Sequence, residues 1–145
     1  MPRLVRGAFL RLNRDMELTR FFPTFAIFTG AGFGGLARYS LVNVTSRLLG
    51  SSFPYGTLLV NLVGGLALGL LVGYWTGQGA SPFVRAFLVT GLLGGFTTFS
   101  AFTLDSVTLV ERHQASTALA YVLASVCGAI LALAAGAAIG RHFAS

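Results

Sequence analysis

The chain has 145 residues, of which 54% are hydrophobic and only 10% charged, with a mean hydropathy of +0.78. Soluble domains carry about 25% charge, so this composition excludes an ordinary soluble globule and indicates an integral membrane protein of one domain at most. The net charge of +6 comes from arginine alone, and five of the ten arginines lie in the first twenty residues, so it does not mark a nucleic-acid binder.

Residues 1–20 form a basic arm in which Arg3, Arg6, Arg11 and Arg14 alternate with Leu4, Val5, Phe9, Leu10 and Leu12. The arm has no apolar core of signal-peptide length and no small-residue cleavage site follows it. It is expected to be disordered or to lie on the surface, ahead of a transmembrane domain over 21–145.

Reading between charges gives four spans. The first starts near Phe21-Phe22-Pro23 and runs to about Leu48, with Arg38 its only charge ahead of Arg47 at the end. The second runs from Pro54, suited to a first helical position, to Trp75, an interfacial aromatic. The third begins after Pro82 and Arg85 and ends near 105–111. The fourth is the 27-residue uncharged run 114–140, closed by Arg141 and His142. Linkers of a few residues at 50–53, 76–81 and 111–113 predict an up-down-up-down bundle, all α-helical. Cys127, alone in an apolar run, cannot form an internal disulfide and is expected as a buried packing thiol.

Glycine recurs every four residues at Gly65, Gly69 and Gly73, and Gly128, Ala132, Gly136 and Gly140 repeat the spacing. Small residues so spaced let membrane helices approach closely. A bundle that tight leaves little room for a pore of its own, which points to an oligomer. Gly30, Gly32 and Gly35 match a dinucleotide-binding pattern, but that pattern needs a strand before it, a helix after it and an acid about 20 residues on. No Asp or Glu lies between Glu17 and Asp105, and the reading is rejected.

The third span is the unusual one. Residues 86–104 are 19 uncharged residues, long enough to cross a bilayer. Yet Gly94-Gly95 and Thr97-Thr98 make the middle a poor helix, and a broken third helix is expected. In hydrocarbon such a break is tolerated only where protein or a polar cavity supplies partners, and the freed backbone groups of broken helices serve as ion sites. Close packing by these glycines is the structural alternative. Phe99 and Phe102 follow on one face, with Thr98 and Ser100 beside them.

With the N-terminus on one side, that side carries the arm plus Arg85 and Arg141, and the other receives Arg38, Arg47 and Arg112. Without the arm the tally is nearly even, so the core has almost no positive-inside bias and can insert either way round. Two copies in opposite orientations would form a two-fold dimer with its axis in the membrane plane. The arm biases toward an inside N-terminus.

Asn61 lies mid-span, where its amide is either interhelical glue or a donor facing a pore. Tyr121 and Ser125 are four apart on one helix face and offer hydroxyls, though Tyr121 equally suits an interface anchor. Arg38 either snorkels to the surface or concentrates anions at a pore mouth. Asp105 is a pore-mouth residue, a cation ligand or a helix-end acid. No acid lies in spans one, two or four, and no histidine lies deep in any span. There is no phosphate loop, metal-ligand cluster or nucleophile–base pair, so an enzyme is not indicated.

These residues resemble the Fluc (CrcB) fluoride channel family through three motifs: Gly34-Gly-Leu-Ala-Arg38-Tyr39, then Phe53-Pro-Tyr-Gly-Thr-Leu-Leu-Val-Asn61-Leu-Val-Gly-Gly, then Gly94-Gly-Phe-Thr-Thr-Phe-Ser-Ala-Phe102. The match covers about residues 25–142. It implies an antiparallel, dual-topology homodimer in the bacterial inner membrane that passes fluoride passively out of the cytoplasm. It also implies a structural sodium ion (Na+) at the dimer centre, held by the backbone carbonyls of Gly94 and Thr97 from each copy. The fluoride pathway maps to Asn61, Phe99, Phe102, Ser100, Tyr121 and Ser125, with Arg38 in the vestibule. Three departures stand out: Ala101 where many members have threonine, Ala129 where a further hydroxyl can occur, and the basic arm itself. A small dual-topology multidrug or guanidinium exporter is similar in size. It needs a membrane-embedded Glu in span one, and 24–38 has none. A non-transporting assembly subunit would explain the glycines but not Asn61 or the phenylalanine pair.

Overall fold

The computed structural model describes the backbone from Arg3 to Ala144 and side chains from Phe22 onward, and every described element is helical. Helix α1 is Arg3–Leu49, α2 is Tyr55–Gln78, α3 spans 82–96, α4 is Phe99–Glu111 and α5 is Ala115–Ala144. Three stretches are long and apolar enough to cross a membrane: Tyr55–Gln78, Pro82–Glu111 and Ala115–Ala144. The chain is thus an all-α, multi-pass membrane protein.

The backbone of the arm is helical and runs on into the rest of α1, with Pro23 inside that helix. Residues 3–20 hold mostly good helix formers, with one glycine and no proline. At 47 residues, α1 is about 70 Å long, roughly twice a bilayer's hydrocarbon thickness. Pro54 serves as the N-cap of α2, one residue ahead of its expected first-turn position. Helix α2 stops at Gly79, whose φ of 72° admits no ordinary side chain and whose N–H donates to the Trp75 carbonyl at 2.8 Å. Ser81 caps α3, its hydroxyl accepting from the Val84 N–H at 3.2 Å, with Pro82 in the first turn. Residues Ala86–Leu93 are wound as a π-helix, a widened winding rare outside functional segments.

The helices pair by glycine. Helix α2 packs chiefly on α5, and α1 chiefly on α3. A Cβ on Gly69 would stand 2.1 Å from the Leu133 carbonyl oxygen, one on Gly73 2.3 Å from that of Ala137. From the other side, one on Gly136 would stand 2.2 Å from the Leu66 carbonyl oxygen and one on Gly140 2.3 Å from that of Leu70. The two helices therefore touch backbone to backbone, which gives dense dispersion contact where no hydrophobic effect operates between lipid-dissolved helices. Gly30 and Gly34 do the same for α1, facing the Phe87 and Leu92 carbonyls of α3. That contact accounts for one glycine of the rejected nucleotide-like pattern, Gly30, while Gly32 and Gly35 face open space. Cys127 is exposed, against the buried packing thiol expected. Six residues on from Tyr121 it has turned about 240° around the helix, away from the face that Tyr121, Ser125, Gly136 and Gly140 bury.

Candidate ion-permeation site

The site forms where α3 gives way to α4. Thr97 (ψ 156°) and Thr98 (φ −150°, ψ 118°) are extended, and helical dihedrals resume at Phe99. Thr98 is the N-cap of α4, its hydroxyl accepting from the Ala101 N–H at 3.2 Å and lying 3.2 Å from the Ser100 hydroxyl. The side chain of Thr97 is bonded to the Leu93 carbonyl at 2.9 Å and fills the space that Gly64 of α2 leaves open.

Asn61 grips this segment. Its Oδ1 accepts from the Thr98 N–H at 2.8 Å, and its Nδ2 donates to the Thr98 carbonyl at 3.1 Å. The amide thus stands in for a neighbouring strand, pairing both with the N–H that helix α4 leaves unserved and with the carbonyl of the same residue. Of the two readings of Asn61, glue between helices is what the geometry displays. An amide carries two N–H donors, and Asn61 also lines the adjoining cavity.

The same bonds strip donors from two carbonyls. In an unbroken helix the Thr98 N–H would serve Gly94 and the Ala101 N–H would serve Thr97. The first is held by Asn61 and the second by the Thr98 hydroxyl. Gly94 is exposed, and a Cβ there would meet only the Val89 carbonyl of its own helix, at 3.5 Å.

Two cavities meet at Thr98. One, of about 370 Å³, is lined by Asn61, Thr97, Phe99, Phe102 and Ser125 together with Val126, Ala129 and Ile130. It contains four of the seven expected pathway residues. The Ser125 hydroxyl is buried and has no hydrogen-bond partner among the described residues, an arrangement costly enough that native structures rarely keep it without use. Ala129, one turn on, leaves that wall apolar. The second cavity, about 620 Å³, brings Arg38 and Ser100 together with Tyr39, Asn43, Thr57 and Asp105.

Tyr121 lines neither cavity. It is wholly buried, which removes the interface-anchor reading, and its hydroxyl lies 3.3 Å from Asp105 Oδ2, an acceptor. Five rings run from the α1–α2 turn to the cavity in the order Tyr55, Phe53, Tyr121, Phe102, Phe99, with centroid separations of 4.7, 5.6, 5.5 and 5.4 Å. Phe102 is buried, whereas Phe99 at its end is 75% exposed. Two residues of the site were not singled out from sequence: Thr98, as both cap and amide partner, and Phe53. A threonine just ahead of a resuming apolar run is an N-cap signal and would have located the first. Nothing local marks the second.

A family model described as "CrcB-like protein, Camphor Resistance (CrcB)" matches residues 25–137, most of the chain. The chain belongs to the CrcB family. Among its CrcB relatives, a protein of Methylobacterium sp. (strain 4-46) named "Fluoride-specific ion channel FluC" is 46% identical over 121 residues, covering 83% of this chain and 97% of that protein. Proteins of the same name from Agrobacterium fabrum and Rhodopseudomonas palustris (strain BisB5) are 51% and 47% identical over 116 residues each. Each of those alignments covers 79% of this chain, and 92% and 94% of the respective relative. The CrcB match includes Arg38, Asn61, both phenylalanines, Tyr121 and Ser125, and leaves the arm outside it.

Proposed function

We propose that this chain is a fluoride-selective ion channel, and not an enzyme, that lets fluoride leave the cytoplasm passively through the bacterial inner membrane. The observation that carries the reading is the cavity beside the extended Thr97-Thr98 pair. There the Asn61 amide, the unpartnered Ser125 hydroxyl and the Phe99–Phe102 rings converge. The names of the relatives support the choice of ion.

Fluoride is small and strongly hydrated, so a pore must replace its water with donors in a path too narrow for larger halides. The spare amide hydrogen of Asn61, the hydroxyls of Ser100, Ser125 and Tyr121, and the positive edges of Phe99 and Phe102 are donors of moderate strength. None carries a fixed positive charge, and conduction requires each site to release the ion as readily as it takes it. Arg38, in the polar cavity on the other side of Thr98, raises local anion concentration without entering the narrow part.

The working unit in this reading has four spans per copy, the third broken at Thr97-Thr98. Two copies pair in antiparallel orientation in the lipid bilayer, each framing one pathway. The first span is α1 after Arg20, where its arginines thin out. Gly94 and Thr97 fit a sodium site at the dimer centre, because their carbonyls are the two whose helical donors are held elsewhere. Four such oxygens from two copies suit a hard monovalent cation, whose charge would offset the converging carbonyl ends. Sodium there is structural and is not transported.

Purified protein in fluoride-loaded liposomes, read with a fluoride electrode, tests the proposal. Fluoride release with chloride retained supports it, and release no faster than from empty liposomes refutes it.

A further inference from the structure

We infer that Phe53, in the turn between α1 and α2, is a positioning residue for Tyr121. This rests on the fluoride reading for its functional consequence but not for its geometry. Tyr121 is wholly buried and has rings on both sides. On one side Phe102 packs at 5.5 Å with the planes 42° apart, and on the other Phe53 stands at 89° with centroids 5.6 Å apart. The perpendicular contact is the one that fixes rotation about the Tyr121 ring axis, since turning the ring converts an edge-to-face pair into a clash or a gap. The hydroxyl oxygen lies on that axis and stays 3.3 Å from Asp105 Oδ2, but a phenol O–H prefers the plane of its ring, so the setting of the ring plane aims the proton.

With its neighbour Tyr55 the first residue of α2, Phe53 is also the one ring of the column that belongs to the turn. It is half-buried against the cluster of Phe102, Leu109, Ala118 and Tyr121. Its neighbour Tyr55 packs on it at 4.7 Å, and its own carbonyl accepts from the Tyr55 N–H at 2.9 Å. A turn that is polar on its outer side (Ser51, Ser52) thereby sends a single ring inward to hold a buried phenol whose hydroxyl lies beside Asp105. In this role Phe53 touches no ion. It sets where the Tyr121 hydroxyl points, and through it the polar end of the proposed pathway.

The test uses full-length protein and two readouts. The first is a carbon-13 label on the tyrosine Cζ atoms, read by NMR in detergent micelles. The chain has four tyrosines, and the resonance that disappears in Tyr121→Phe belongs to Tyr121. Phe53→Leu, which keeps apolar volume but removes the ring, is expected to move that resonance. An unmoved resonance overturns the inference, whatever the protein transports. The second readout is fluoride efflux from liposomes. Phe53→Leu is expected to slow it about fivefold to tenfold, the range that one ring pair controls, while Phe53→Tyr restores the wild-type rate. Phe53→Leu combined with Tyr121→Phe should be no slower than Tyr121→Phe alone, because both act through one hydroxyl. Losses that multiply, or a Phe53→Leu rate equal to wild type, overturn the inference. Phe53→Met replaces Phe53→Leu if the latter loses its size-exclusion profile. Wild-type protein with no fluoride flux would remove the fluoride reading and leave the NMR arm to decide on Phe53.

Discussion

Removing the Asn61 amide tests the site at its centre. In Asn61→Ala the Thr98 N–H and carbonyl lose the partners now at 2.8 and 3.1 Å. Hydrogen bonds contribute about 0.5–1.5 kcal/mol each in soluble proteins and about 0.6 kcal/mol on average between membrane helices. The pair is therefore worth about 1–2 kcal/mol. The freed Thr98 N–H also has an alternative, the Gly94 carbonyl four residues back, so the variant can rewind the extended pair into a continuous helix. Rewinding would withdraw Gly94 from the proposed cation site. An energy of 1–2 kcal/mol corresponds to a shift of about fivefold to thirtyfold in the population of the extended form. Fluoride efflux is expected to fall by at least that factor, since a cavity donor disappears as well. Asn61→Asp discriminates further. It keeps the acceptor for the Thr98 N–H but turns a carboxylate oxygen toward the Thr98 carbonyl and places a negative charge on an anion's path. Stability should recover in part while flux stays low. Efflux and thermal unfolding in detergent, measured on the same preparations, provide the check. Wild-type efflux together with a wild-type unfolding midpoint for Asn61→Ala would refute the reasoning.

Other positions separate folding from permeation. Phe99 is 75% exposed and Phe102 only 8%; Phe99→Ile is therefore expected to cut fluoride efflux while the dimer elutes normally. Phe102→Ala should also destabilise the fold by about 3–5 kcal/mol, the usual cost of deleting a buried ring, visible as a lowered unfolding midpoint. Ser125→Ala removes a buried hydroxyl with no partner, so it is expected to stabilise the protein by about 1 kcal/mol and yet slow efflux. Equal or faster efflux would take Ser125 out of the pathway. Gly69→Val and Gly136→Val drive a side chain into a facing carbonyl and should abolish the folded form on size exclusion. Gly94→Ala makes only an ordinary van der Waals contact, with the Val89 carbonyl, within one copy; it should keep normal helical circular dichroism but lose the dependence of the proposed dimer's stability on sodium over N-methylglucamine.

Much of the fold is legible because membrane burial and helix packing repeat along the chain. Gly65, Gly69 and Gly73 announce a face that approaches another backbone, and Gly128, Ala132, Gly136 and Gly140 announce its counterpart. The structure joins those two faces. Within the stretch of low helix propensity at 94–98, Thr97 and Thr98 take extended dihedrals. Cys127 misled because an apolar run has a buried and an exposed side alike, and hydrophobicity alone does not tell them apart in lipid.

By itself the sequence determined that the protein is helical and lives in a membrane, and which helix faces touch, since each is a property of composition or of a period of a few residues. Only the tertiary structure decided that Asn61 closes on Thr98, 37 residues away, that the helical donors of the Gly94 and Thr97 carbonyls are held elsewhere, and that Tyr121 is buried between Phe53 and Phe102 beside Asp105. A hydrogen bond or ring contact between distant segments depends on how whole helices are set against one another, and no local pattern encodes that distance.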